Sequence, residues 1–286
     1  MKATSDIDPK IVKQLREKTN AGMMDCKRAL TESGGDLEKA EAILRTKGIA
    51  SAGKKSSRAT KEGIVASYIH LQGKVGVLVE VNCETDFVAK NDGFRAFCDE
   101  AARRIAESPN VDLEADRVAA VQKIGENIII RRHERIAVSG HGLVAAYIHT
   151  GGKVGVLVEV GAEKDDTATR EDFKQLVRDI TLQIAAANPV CVSRDQVPAA
   201  LVEREREVYR GQVPPGKPAN IVEKIVDGKM DKFYSNSCLL DQAFIKDPDK
   251  TISQLIADHS KALGETITLH RFIRYMVGED VAGEAQ

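Results

Sequence analysis

The sequence contains no tryptophan and little else that is aromatic: seven phenylalanines and five tyrosines make up 4% of its 286 residues. Any aromatic side chain left on the surface therefore carries more information than usual. Long apolar runs are missing as well, since no window approaches the roughly 18 consecutive apolar residues of a membrane span. The opening stretch MKATSDIDPKIVKQ has no apolar signal core. Together these absences predict a soluble, cytoplasmic chain with no membrane partner. Five cysteines, Cys26, Cys83, Cys98, Cys191 and Cys238, are an odd number with no CxxC pair, and no histidine lies within four residues of one. That pattern reads as reduced thiols and argues against a zinc site. Charge of neither sign dominates: 42 Lys/Arg against 43 Asp/Glu leave a net −1. A broad phosphate-neutralising surface is thereby disfavoured, and nucleic acid is not the expected partner.

Catalytic signatures are also lacking. There is no GxSxG, no HExxH and no GxGxxG after a strand. Gly48, Gly53 and Lys54 have the GxxxxGK spacing of a phosphate-binding loop, but Lys55 stands where a hydroxyl is needed and a helix, not a strand, precedes them. We read the match as chance. Gly73, Lys74, Val75 and Gly76, with the copy Gly152 to Gly155, match the GxxG loop of KH-type RNA-binding modules, in which the loop joins two helices. Here strand-like alternation follows the loop, which makes RNA binding the weaker alternative.

What is present is length and internal order. A chain of 286 residues exceeds what one core usually serves, so several domains are expected. Charge is uneven along it: residues 1–62 hold fourteen Lys/Arg and nine Asp/Glu, a net +5, which leaves −6 for the remainder. Three short helices are predicted in residues 9–47, punctuated by Asn20-Ala21-Gly22, Gly34-Gly35 and Gly48. Val12 and Leu15 share an apolar face in the first, and Met23-Met24 open the second, at least one of them expected in the core. Asn20, in the first of these breaks, tolerates a left-handed turn. Such a small unit buries little and reads as a docking module, followed by a basic, aperiodic stretch with the character of a linker.

The most informative feature is a repeat. Residues 63–81 align without a gap on residues 142–160, with fifteen of nineteen positions identical. Valines at 75, 77, 79 and 81, and at 154, 156, 158 and 160, alternate with period two after a glycine-containing turn. Each copy thus predicts a β-hairpin with one buried face, and both continue into an amphipathic helix. His70 and His149 occupy the same place in both copies, which favours a structural role. Further on, a strand is predicted near residues 127–138, a helical hairpin around the Pro-rich segment 213–218, and a last strand in TITLHRFIRYMV that could rejoin the second copy.

Immediately after the hairpins the copies diverge. Thr85, Asp86, Phe87 and Val88 stand opposite Lys164, Asp165, Asp166 and Thr167. An aspartate is rarely buried unpaired, so the equivalent site should be exposed and Phe87 with it. Its seven-residue spacing from Phe94 would otherwise suit the core, but Asn91-Asp92-Gly93 interrupts the helical pattern between them. Phe87 is therefore expected to anchor a protein partner.

The stretches LREKTNAGMMDCKRAL, EVNCETDFVAKN, KIGENIIIRR, GKPANIVEKIVDGKMDKFY and RFIRYMVGE, spread from residue 12 to about 279, resemble the bacterial elongation factor Ts family. The resemblance implies a guanine nucleotide exchange factor of elongation factor Tu that performs no covalent chemistry and needs no cofactor or metal. It also implies an α+β multidomain fold: an N-terminal three-helix, ubiquitin-associated-like module, a core of two repeated strand-strand-helix halves, and an inserted antiparallel helical hairpin. The expected boundaries are 1–48 for the docking module, 49–62 for the basic linker and 63–140 for the first core half. The second core half takes 141–196 and 236–279, the inserted coiled-coil hairpin 197–235, and the tail 280–286. By resemblance, Thr85, Asp86, Phe87 and Val88 disturb the partner's magnesium and phosphate site. Val12, Leu15, Met23 and Met24 are further expected contacts, together with the C-terminal segment.

Overall fold

The computed structural model describes residues 7–19 and 21–280; Asn20 and most of the expected tail lie outside the described residues. Three helices open the chain: α1 (Pro9–Thr19), α2 (Met23–Ser33) and α3 (Leu37–Lys55). Gly34 ends α2 in the left-handed conformation, and the Asp36 carboxylate caps α3 by accepting from the Lys39 N–H. Leu15, Cys26, Ala29, Leu30, Ala40 and Leu44 fill the space between them.

The third helix overruns its expected end. Gly48 was expected to close α3 and a linker to begin at residue 49, yet α3 continues to Lys55 and buries Gly48 and Ala52. The cause is packing. A Cβ at Gly48 would lie 2.8 Å from the Gln122 side chain, so the missing methyl lets α3 meet another helix, α6 below, and tertiary contact overrides the weak helix propensity of glycine. The GxxxxGK segment consequently lies within a helix.

The rest of the first unit runs β1 (Glu62–His70), β2 (Val75–Cys83), the single turn α4 (Asp86–Ala89), α5 (Asp92–Glu107), α6 (Glu114–Ile124) and β3 (Ile128–Ala137). These strands form an antiparallel sheet in the order β1-β2-β3. Next come β4 (His141–Ile148), β5 (Val154–Ala162), α7 (Glu171–Ala187), α8 (Ala199–Gly211) and α9 (Ala219–Ser237). The chain closes with β6 (Ala243–Phe244), β7 (Asp247–Thr251), α10 (Ile252–Leu263) and β8 (Thr268–Met276). The last strand pairs with β5, giving a second antiparallel sheet in the order β4-β5-β8. Both sheets shift register at the same place, between Glu80 and Val81 and between Glu159 and Val160. The loop bearing Gly73 to Gly76 joins two strands, which removes the helical setting a KH-type loop requires.

The hairpins bury both faces of their central strands, not one. Valines 77, 79 and 81 face α5, while Leu78 points the other way into a cluster with Val65, Ile136, Val144, Leu157 and Tyr275 drawn from both sheets. The two sheets therefore pack against each other. Gly76 and Gly155 make this approach possible: a Cβ at Gly76 would fall 2.4 Å from Val144 Cγ1, and one at Gly155 would fall 2.5 Å from Val65 Cγ1. Two buried glutamates tie the same interface. Glu80 pairs with Arg132 at 2.7 Å and accepts from the Gly278 N–H beyond β8, while Glu159 pairs with Arg271 at 2.8 Å and accepts from the Ser139 N–H beyond β3. Each sheet thus satisfies a buried carboxylate with the end of the other, as such a charge requires.

Helices α8 and α9 form the antiparallel hairpin expected from the sequence. Arg206 bonds Glu223 and Asp227, and Arg210 bonds Glu223, so positions rise on one helix as they fall on the other. Nothing on α8 is buried, and α9 buries only Val226 and Met230. All five cysteines are free thiols. No helix among the described residues is long and apolar enough to cross a membrane.

Candidate protein-docking site

The principal candidate lies where β2 hands over to α5. Cys83 ends the strand in the core, and burial, with the nearby Glu126 charge next, pushes its thiol up to about 12. Thr85 then caps the single turn α4, its hydroxyl oxygen accepting from the Val88 N–H at 3.3 Å. Ala89 is buried beneath the turn and Val88 packs partly against the core. Phe87 points outward and is 81% exposed, the most exposed of the large apolar side chains among the described residues. The Asp86 carboxylate is held below its usual range, chiefly by a 2.7 Å hydrogen bond from Lys90. Asn91 starts α5 by accepting from the N–H groups of Gly93 and Phe94, so Phe87 and Phe94 sit on separate helical segments.

The corresponding turn of the second copy is a 3-10 turn, Asp166–Thr169, with no side-chain cap, since Lys164 stands where the first copy has Thr85. Thr167 and Ala168 are buried beneath it and Asp166 is exposed in the position of Phe87. Asp165 pairs with Lys74 at 2.7 Å and with His141. An apolar projection in one copy is thus matched by a solvated carboxylate in the other.

Glu126 also belongs to this turn, although sequence reasoning did not nominate it. Its carboxylate accepts from the backbone N–H groups of Glu84 and Thr85, both at 3.0 Å, and from the Thr85 hydroxyl at 2.7 Å. A usable signal existed in a second, shorter repeat. Gly125-Glu126-Asn127-Ile128 aligns with Gly264-Glu265-Thr266-Ile267, and Glu265 accepts from the N–H groups of Glu163 and Lys164 and from the Thr167 hydroxyl.

A second apolar surface lies on the N-terminal helices. Met23 and Met24 are 58% and 65% exposed, so neither is core, contrary to expectation. The interior is already filled by the side chains of Leu15, Cys26 and Leu30, and the first turn of α2 lies outside it. With Ile7, Pro9 and Val12 the two methionines line a groove of about 530 Å³, rimmed by Lys13, Arg16 and Lys27. Val12 lies at its floor. Leu15, expected as a contact, is fully buried and unavailable to a partner. Methionine suits such a groove because its unbranched thioether adapts to the shape of what it touches. Among the described residues no group of three or more His, Cys, Asp or Glu side chains is arranged to hold a metal ion.

Comparison with known proteins places these features in context. The family model described as "Elongation factor TS" matches residues 84–279. A protein named Elongation factor Ts from Nitratidesulfovibrio vulgaris (strain DP4) is 43% identical over 281 residues, covering 97% of this chain and 98% of the relative. Proteins of the same name from Clostridium kluyveri and Clostridium botulinum are 44% and 46% identical, each covering 96% of this chain and 94% of the relative.

Proposed function

Because the chain belongs to the elongation factor Ts family, we propose that it binds elongation factor Tu in its GDP form, disturbs the magnesium and phosphate site there, and promotes GDP release so that GTP can load. The observation that carries this reading is Phe87. It is a large apolar side chain, 81% exposed on a capped turn, and the uncapped turn at the corresponding place in the second copy puts an aspartate in its position. A core does not require such a residue; a wedge against another protein does.

An exchange factor needs no covalent chemistry. It must bind the nucleotide-free GTPase more tightly than the loaded form, and by linkage the nucleotide weakens the exchange factor to the same degree. A thousandfold acceleration corresponds to roughly 4 kcal/mol of differential stabilisation, and burying one phenylalanine contributes about 1.5–3 kcal/mol. Phe87 is therefore assisted. Thr85, Asp86 and Val88 shape the turn that carries it, and the groove of Val12, Met23 and Met24 supplies a separate grip. In this reading the three N-terminal helices are a ubiquitin-associated-like docking module that extends to Lys55. The two sheets with their helices are two copies of one unit, and α8 with α9 is an inserted arm. The setting is the cytoplasm.

The test is direct. Elongation factor Tu loaded with fluorescent GDP is mixed with the chain, and release is followed by stopped flow. Acceleration that saturates with chain concentration supports the proposal, and a complex that excess GDP dissociates supports the linkage. Release no faster than the spontaneous rate overturns it.

A further inference from the structure

We infer that Glu126 is the positioning residue of the exchange turn: its carboxylate fixes the backbone from which Phe87 projects. The inference rests on the exchange reading above. A side chain that is 81% exposed has almost no contacts of its own to hold its direction, so direction must come from the backbone beneath it. That backbone is the four-residue turn Asp86–Ala89, far too short to be stable as an isolated helix. Something outside the turn must hold it.

Glu126 does so from forty-odd residues away along the chain. One carboxylate oxygen accepts from the N–H groups of Glu84 and Thr85, both at 3.0 Å, and the other accepts from the Thr85 hydroxyl at 2.7 Å. The Thr85 hydroxyl oxygen in turn accepts from the Val88 N–H, so the bond to Glu126 orients the group that caps the turn. The clasp is reciprocal, because the Glu84 carboxylate accepts from the Asn127 N–H at 2.6 Å. Glu126 is itself fixed on both sides. Gly125 precedes it in the left-handed conformation that ends α6, and beyond Asn127 the residue Ile128 pairs with Cys83 at the start of β3. Charge-assisted bonds from a carboxylate are the strong class of hydrogen bond, and a preorganised wedge loses less on binding than one that must first be ordered.

The second copy supplies an internal control. Glu265 accepts from the equivalent pair of backbone N–H groups, those of Glu163 and Lys164, but its hydroxyl partner is Thr167, inside a turn that has no side-chain cap and carries Asp166 in place of phenylalanine. If Glu126 merely held its unit together, removing either glutamate would have the same effect on exchange.

The experiment compares Glu126→Ala, Glu126→Gln and Glu265→Ala, each alone and with Phe87→Ala, in the full chain. Two quantities are read: GDP release from elongation factor Tu at saturating chain, and affinity for the nucleotide-free GTPase. Misplacement of a working group costs up to about a hundredfold, so Glu126→Ala is expected to slow saturated release by about ten- to a hundredfold with a smaller change in affinity. Glu126→Gln keeps an oxygen for the two backbone N–H groups and is expected to slow it by about three- to tenfold; it decides the matter should the alanine variant not fold. Glu265→Ala is expected to leave the rate unchanged. Because Glu126 acts through Phe87, adding Glu126→Ala to Phe87→Ala is expected to slow release no further. Equal effects of Glu126→Ala and Glu265→Ala, or additive slowing in the double variant, overturn the positioning role. A native chain that fails to accelerate release overturns the exchange reading itself, and this inference with it.

Discussion

Replacing Phe87 with alanine separates binding from action. In the free chain the ring is 81% exposed, so its removal costs the fold little, within the roughly 0.5 kcal/mol usual for surface substitutions. For a chain of this size that is a shift of less than about 2 °C in melting temperature. In the proposed complex the same ring would be buried, a change worth about 1.5–3 kcal/mol. If that energy is realised mainly as the partner's nucleotide site is disturbed, the loss falls on the release step and amounts to about 10- to 150-fold in rate. Affinity for the nucleotide-free GTPase should fall less. The assay is stopped-flow release of fluorescent GDP at saturating chain, with titration calorimetry for affinity and a thermal melt as the check on folding. A folded Phe87→Ala chain that releases GDP at the native rate refutes the wedge, whatever else the chain does.

The second apolar surface predicts the opposite split: Met23→Ser with Met24→Ser removes two exposed thioethers and should weaken the complex by about ten- to a hundredfold while saturated release stays near the native rate, as titration calorimetry and stopped flow would show. An unchanged affinity counts against the groove as a grip. Gly76→Ala places a methyl 2.4 Å from Val144 Cγ1 and 2.8 Å from Leu157 Cδ1 between the two sheets, and overpacking of this kind costs about 1–3 kcal/mol in urea titration. A neutral result would mean the sheets can part more easily than their close contact implies. The Glu265 carboxylate is held below its ordinary value of 4.5, first by the Thr167 hydroxyl and then by the Lys164 and Glu163 N–H groups. A depressed folded value stabilises in full above the unfolded value, near pH 4.5, and the contribution disappears as pH falls through the lower folded value. Glu265→Gln should therefore lose melting temperature at pH 7 and converge on the native chain as pH falls through that lower folded value; a constant gap between the two curves would contradict this.

What the sequence made legible, and what it hid, follows from which comparisons it allowed. Exposure of Phe87 could be argued because the chain holds its own reference copy, with Asp166 at the equivalent place. Met23 and Met24 have no such copy, and helical periodicity alone assigned at least one to a core that Leu15 and its neighbours already occupy. Gly48 read as a stop because glycine usually ends helices, whereas its use here is to admit Gln122. Val75, Val77, Val79 and Val81 read as one buried face because they alternate with period two, which assigns Glu80 and Asn82 to the other face. Both are buried, Glu80 held by Arg132 and by the Gly278 N–H and Asn82 donating to Glu80 and to the Glu62 carbonyl, while Gly76 lets the second sheet approach this face. Glu126 escaped because the repeat that exposes it is four residues long.

The duplication and the asymmetry work together. Two sheets that share one buried interface, each closing the other's buried glutamate, make a body with little freedom to bend at the joint. Rigidity matters to an exchange factor in a specific way. A ligand shifts an equilibrium only by the difference in its affinity for the two states. A turn that yielded on contact would bind loaded and empty partner alike and so shift nothing. In the proposed exchange, a turn clasped by Glu126 resists yielding, and its contact would favour the partner conformation in which the nucleotide site is already disturbed. The second copy, whose Glu265 holds a turn bearing a solvated aspartate, has no phenylalanine at that place to exert such pressure. In the proposed exchange, Phe87 supplies the differential contact, the rest of its unit holds it in position, and the groove of Val12, Met23 and Met24 adds binding energy elsewhere.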